Sequence, residues 1–268
     1  MENEATNGIH HHHNVVNKSR KMILGNDFKV GQGIFVLNNE EKNSIPLTEN
    51  EFRLIKPEYT TKELFKYNAN PKNKYWVIYT DSSFKNPNKI KKYPNIKKHL
   101  DGFRKVITSD NKPYGLHRAR DEKFFTGEKI ISVRKCAEPT FTYTDFDCYV
   151  SATFYVIKSK RINKKFLTAL LNSKLIVFWL MHKGKMQGNN YQIDKEPLLN
   201  IPIVKPELEK QIPIIELVSQ ILSTTKDENY LAFPKKQAKV KALEAEIDQL
   251  VYKLYDLTKD EIAIVEKA

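Results

Sequence analysis

The spacing of apolar positions changes part-way along the chain. From about Ile23 to Ser159, β-branched and aromatic residues gather in short runs between turn signals: Phe28–Leu37, Lys74–Tyr79, Lys129–Arg134, Phe141–Tyr143 and Tyr149–Ile157. These runs predict strands, with Thr144–Asp147 as a turn. Leu47–Phe52, Thr60–Tyr67 and Asn95–Arg104 predict short helices between them. Gly31-Gln32-Gly33 has neither the third glycine nor the helix of a phosphate-cradling loop, so it reads as a turn within a hairpin.

Beyond Ser159 the period is helical. Asn163 can cap a helix running to about Lys183, with Gly184 as its terminator. The second half of that helix is apolar nearly all round, which predicts burial. Pro213 suits the first turn of a helix carrying Ile214, Ile215, Val218, Ile221 and Leu222. After Pro234, the positions Val240, Leu243, Ile247, Leu250, Leu254 and Leu257 are spaced three, four, three, four, three, a coiled-coil seam. Thr258-Lys259-Asp260-Glu261 forms a capping box for a last helix, with Leu257 and Ile262 placed as its hydrophobic staple. The expected architecture is α+β. It comprises a flexible polar leader over residues 1–22, a mixed-strand body over 23–208 and a helical hairpin over 209–268. The four histidines His10 to His13 fall in the leader and read as part of a flexible tail.

Composition narrows the partners. The apolar content of 40%, with 14 Phe and 13 Tyr in 268 residues, is that of a folded protein. A net charge of +13 and a pI near 9.4 favour a polyanion, with nucleic acid first among candidates. Cys136 and Cys148 lie in strand-like text, as reduced core thiols of a reducing cytosol would. No signal peptide is visible, and the most apolar run, Leu175–Met181, is too short to span a bilayer. A soluble cytoplasmic protein with no membrane contact is expected.

Catalytic patterns are fragmentary. His117-Arg118-Ala119-Arg120-Asp121 echoes a kinase loop only with an inserted residue and no matching downstream asparagine. Asp121 and Glu122 could be forced into a metal-nuclease pattern but lack a companion carboxylate at convincing spacing. No cysteine–histidine spacing suits zinc.

Binding patterns are better represented. Lys85–Lys105 carries eight Lys/Arg against one Asp, including Lys91, Lys92, Lys97 and Lys98. Lys158–Lys165, with Lys160 and Arg161, is a second cluster; such density is more easily tolerated where phosphates neutralise it. The Gly184–Gln192 loop offers Lys185, Gln187, Asn189, Asn190 and Gln192, and amide side chains can pair bidentately with adenine. In an extended Leu116–Asp121 segment, Arg118 and Arg120 would point the same way, about 6.6 Å apart, as a two-pronged grip. Asp121 would then orient His117 behind them. A knot of surface ion pairs through Asp121 and Glu122 is the competing reading.

An ordered series of short motifs carries a resemblance. It includes Leu54–Glu63 (LIKPEYTTKE), Asn70–Asp81 (NPKNKYWVIYTD), Tyr93–Leu100, Leu116–Arg120, Leu170–Leu175, Ile201–Pro206 and Ile247–Thr258. In this order they resemble the TaqI-like C-terminal specificity domain of type IIG restriction–modification adenine methyltransferases. The resemblance runs from about Gly25 to Glu266 and implies a target-recognition module for double-stranded DNA. It further implies a methyltransferase or endonuclease on another domain or chain, which would hold S-adenosylmethionine and magnesium. Asn70-Pro71-Lys72-Asn73 and Asn86-Pro87-Asn88-Lys89 lack the second proline and the aromatic of that family's methyl-transfer motif. This chain is therefore expected to bind without cofactor and without catalysis. A metal-dependent endonuclease fragment and a general basic RNA-binding module remain as alternatives.

Overall fold

The structure, a computed structural model, describes residues 4–187, 190–227 and 230–267. In chain order the elements begin with β1 (Ala5–Asn7), α1 (Lys18–Leu24), β2 (Val36–Asn38), α2 (Asn39–Ser44) and α3 (Glu49–Phe52). Next come β3 (Ile55–Tyr59), β4 (Tyr75–Ile78), α4 (Pro94–Asp101), β5 (Lys129–Val133), β6 (Lys135–Cys136) and β7 (Phe141–Thr144). They continue with β8 (Tyr149–Val150), β9 (Phe154–Ile157), α5 (Lys164–Asn172), α6 (Lys174–Lys183), β10 (Lys185–Gln187) and β11 (Asn190–Gln192). The chain closes with α7 (Lys195–Leu199), α8 (Leu208–Thr225), α9 (Pro234–Leu254) and α10 (Lys259–Lys267). The fold is α+β.

Three sheets have the strand orders β1-β9-β5-β7, β2-β4-β3-β8 and β10-β11-β6. Every pairing is antiparallel except that of β3 with β8. The second sheet, α4 and the N-terminal segment share one apolar cluster, which includes Ile9, Val16, Phe35, Ile78 and Leu100. The first sheet packs on α5 and α6 through Ile130, Tyr155, Leu167, Leu171 and Leu180. The other side of α5 offers Phe166, Ala169 and Leu170 to a third cluster with α8 and α9. The first half of the predicted seam lies there: Val240, Leu243 and Ile247 are buried with Ile214, Val218 and Ile221. Leu250 and Leu254 are only partly buried, Val251 takes the inward place, and α9 ends before Leu257. The box also forms, with Thr258 N–H donating to Glu261 Oε2 at 2.8 Å and Glu261 N–H to Thr258 Oγ1 at 3.3 Å.

Residues 4–22 are not a flexible leader. β1 pairs with β9, Ala5 opposite Ile157 and Asn7 opposite Tyr155, and Ile9 and Val16 are fully buried. A side chain at Gly8 would meet the Ser151 carbonyl at 2.1 Å, so only glycine passes there. The histidine run is extended: His11 and His13 point inward with Ile9, while His10, His12 and Asn14 are exposed. Burial is tolerated because His11 Nε2 meets Glu58 at 2.9 Å and His13 Nε2 accepts from the Thr108 amide at 3.3 Å.

Other expectations shift for local reasons. Of Phe28–Leu37, only its last residues join a strand, because Gly31 turns the chain at φ 92°. Thr60–Tyr67 is not a helix: Glu63 caps Thr60 for one turn, and Tyr67, at φ 68°, instead bonds the Phe141 and Tyr143 backbone. The Asn163–Lys183 helix breaks at Ser173. There Asn172 bonds both backbone groups of Phe141, and Asp248 accepts the Lys174 N–H at 2.9 Å. Pro213 sits inside α8 rather than in its first turn, the helix having begun at Leu208.

Two buried groups make the fold acid-sensitive. Burial of Glu51 opposes its ionisation, but donors from Thr48, Asn95 and Ile96 outweigh that and hold the carboxyl at about 2. Burial of His13 lowers its pKa from 6.5 to about 4, with nearby His12 adding to the effect. For both groups the unfolded chain binds more protons, so stability falls as pH falls. The His13 contribution is lost between 6.5 and about 4, and the Glu51 contribution between 4.5 and about 2. Thermal melts at pH 7, 5 and 3.5 should show a stepwise decline. Glu51→Gln should cost about 2 kcal/mol at pH 7, the order of a charge-assisted hydrogen bond, and flatten the lower step. A melting temperature independent of pH from 7 to 3.5 contradicts this assignment.

Candidate nucleic-acid interface

The small sheet brings together residues distant in sequence. β10 and β11 form a hairpin, and β11 continues onto β6. In register, Lys185 lies opposite Gln192, and Gln192 lies opposite Lys135. Directly opposed residues share a face, so these three form one polar row across the sheet. Asn190, two positions from Gln192, falls on the same face, and Gln187 pairs with it in register. Tyr191 and Cys136 belong to the other face, where Cys136 packs on the core. Asp194 is the local counter-charge: it accepts from Gln192 Nε2 at 2.9 Å and lies 3.7 Å from Lys185 Nζ. Asn189 lies outside the described residues, as does the side chain of Gln187.

Beside this row is a cleft of about 470 Å³, walled by Thr61, Val133, Arg134, Lys135, Thr153 and Gln192. The Arg134 guanidinium lies 5.2 Å from the centre of the Tyr155 ring, and Nη1 donates to the Ala152 carbonyl at 3.2 Å. Its Nε is buried with no hydrogen-bond partner among the described residues. A guanidinium fork resting against an aromatic ring can present its remaining donors to a phosphate or a guanine edge. Arg134 and Lys135 carry no local sign of this role, because only the pairing of β6 with β11 brings them to Gln192.

The other predicted contacts separate into free and committed groups. Lys91, Lys92 and Lys98 are exposed around α4, while Ile90, Ile96 and Leu100 anchor that segment inward. Lys97 is half-exposed and pairs with Asp101 at 2.5 Å. Lys160 is exposed. Lys158 instead donates to the Lys123 and Thr126 carbonyls, both at 2.6 Å, and Arg161 forms a fork with Glu4. These two tie the fold internally.

The two-pronged arginine grip does not form as expected. Arg118 is exposed, and its backbone pairs with His10. Arg120 takes φ 69°, which breaks the alternation, and its Nε reaches back to the Gly8 carbonyl at 3.4 Å. Asp121 does not orient His117; it caps the short turn that follows and pairs with Lys123 at 2.7 Å. His117 instead packs against the rings of His10 and His12, at 4.8 and 5.3 Å between centroids. Glu122 accepts from the Tyr149 hydroxyl and pairs with Lys56. Among the described residues, no group of three or more His, Cys, Asp or Glu is placed to hold a metal ion. Burial pushes the Cys136 thiol up to about 11 and that of Cys148 to about 12, so both stay protonated at neutral pH. No helix among the described residues is long and apolar enough to cross a membrane.

Residues 56–203, more than half of the chain, match the model of the TaqI-like C-terminal specificity domain. The chain belongs to that family. The matched span contains the polar row, the Arg134 cleft, α4 and the Arg118 segment. Two type II methyltransferases of Haemophilus influenzae, M.HincII and M.HindII, are each 35% identical over 65 residues, 22% of this chain. The matched segment is 13% and 12% of their respective lengths. Among solved structures, the type IIL restriction–modification enzyme MmeI in complex with DNA superposes with a TM-score of 0.64 at 17% identity. That match covers 85% of this chain and 32% of MmeI, and shows a shared fold. The type IIG restriction endonuclease BpuSI matches 79% of this chain and 27% of its own, with a TM-score of 0.42 at 13% identity. This TaqI-like specificity domain therefore spans about a third of the MmeI chain and a far smaller part of the curated methyltransferases.

Proposed function

We propose that the chain reads a duplex DNA sequence for a restriction–modification system, with the Lys185–Gln192–Lys135 row and the Arg134 cleft as the reading surface. The observation that carries this is the row itself: three donor-rich side chains aligned across strands from separate parts of the chain. Amide and guanidinium groups pair with base edges, and the flanking lysines supply sequence-independent attraction. Lys91, Lys92, Lys98, Lys160 and Arg118, all exposed, are the phosphate-contact candidates. Lys97 could join them only by leaving Asp101. An N6-adenine methyltransferase or endonuclease, on another domain or chain, would work with this surface in the cytoplasm and hold S-adenosylmethionine and magnesium. The chain itself would direct that chemistry without performing it.

Binding of the full chain to duplexes by fluorescence anisotropy tests the assignment of roles. Asn190→Ala and Gln192→Ala should flatten preference among sequences by about 1–3 kcal/mol per lost pair while sparing non-specific affinity. Arg118→Ala should lower the salt slope by about one unit and keep preference. Unchanged preference in both amide variants removes the row from the reading surface.

A further inference from the structure

A second cleft, of about 200 Å³, lies on another part of the molecule, between α5, α8 and the turn after β7. Its polar lining comprises Asn68, Thr144, Lys165, Ser219, Ser223 and Lys226. The volume is below that of sites for drug-sized ligands, so a fitting occupant is small. Tyr143, Phe146 and Leu222 give it apolar walls, and Asp145 on its edge is the acid in the lining. Lys165 Nζ donates to Ser219 Oγ at 3.0 Å, and that hydroxyl donates onward to the Ile215 carbonyl at 2.8 Å. Lys165 therefore stays beside the cleft instead of extending into solvent. Lys226, at the end of α8, is exposed and has no ion-pair partner among the described residues. Thr144 is 1% exposed, yet its Oγ1 has no hydrogen-bond partner among the described residues.

We propose that this cleft binds a phosphate group, held by Lys165 and Lys226 with the Ser223 hydroxyl beside them. Lysine ammonium groups bind phosphate oxygens as point charges, and hydroxyl donors complete the shell. Among the described residues, Asp145 is the one carboxylate in the lining, and Glu128, which accepts from the Tyr143 hydroxyl and lies near Lys165, is paired with Lys164. The phosphate has two sources, free orthophosphate or a phosphodiester of the DNA backbone, and the second rests on the DNA-recognition reading above.

Melting of the full chain in sodium phosphate and in sodium chloride at matched ionic strength tests the site without DNA. Phosphate should raise the wild-type melting temperature by a few degrees and leave Lys226→Met and Lys165→Met unmoved. Salt titrations of duplex binding separate the sources. With a backbone phosphate in the cleft, Lys226→Met should lower the salt slope by about one unit, and free phosphate should compete with the duplex. With free phosphate as the occupant, the variant should bind duplex like wild type. The proposal falls if phosphate stabilises wild type and both variants equally. It also falls if phosphate stabilises none of them and Lys226→Met leaves the salt slope unchanged. Because the melting arm contains no DNA, failure of the DNA-recognition reading leaves its result standing.

Discussion

Ile247→Asp is expected to unfold the C-terminal helices and to loosen α5 with them. Ile247 is fully buried between α9, α8 and α5, in the cluster that holds Phe166, Leu170, Val218 and Ile221. Truncation at such a site, Ile247→Ala, should cost about 2–5 kcal/mol. An aspartate there adds an unpaired buried charge, which exceeds that range in any apolar site. Because α5 packs on the first sheet with its other face, the damage should reach the strand body. Circular dichroism should show lost helicity, and limited proteolysis should cut within 208–254. Ile247→Val should remain close to wild type. A melting temperature for Ile247→Asp equal to that of wild type contradicts the shared core.

Arg134→Ala is expected to produce the largest loss of DNA affinity among single substitutions in the cleft. Its guanidinium rests 5.2 Å from the centre of the Tyr155 ring and is held there by the Nη1 bond to the Ala152 carbonyl. A bidentate contact to a base is worth about 1–3 kcal/mol, and 1.4 kcal/mol is about tenfold in affinity. Arg134→Lys keeps the charge but not the fork, so it should restore affinity for random sequence while leaving preference impaired. Full recovery of preference by lysine would reduce Arg134 to a point charge.

Where the physics was local, the sequence was informative. The three–four spacing from Val240 to Ile247 meets its helical partner, and the Thr258–Glu261 box closes between neighbours in the chain. Local signals failed where a distant partner set the outcome. The histidine run reads as polar tail text, yet every second residue is buried because Glu58 and Thr108 wait for His11 and His13. Arg120 looked like a free prong, but its positive φ turns it back to Gly8. Lys158 and Arg161 looked available, and their partners lie at Lys123, Thr126 and Glu4. The polar row was half legible: Lys185, Asn190 and Gln192 stood out by residue type. Lys135 could not, since register across β6 and β11 is a tertiary fact.

The most direct measurement is selection from a randomised duplex library by the purified full chain, followed by sequencing of what it retains. Recognition through the Lys185–Gln192–Lys135 row and Arg134 predicts one short enriched motif. Preference at one or more of its positions should disappear with Gln192→Ala or Arg134→Ala. Retention of duplexes without any enriched motif, together with equal affinity for structured RNA, would contradict it.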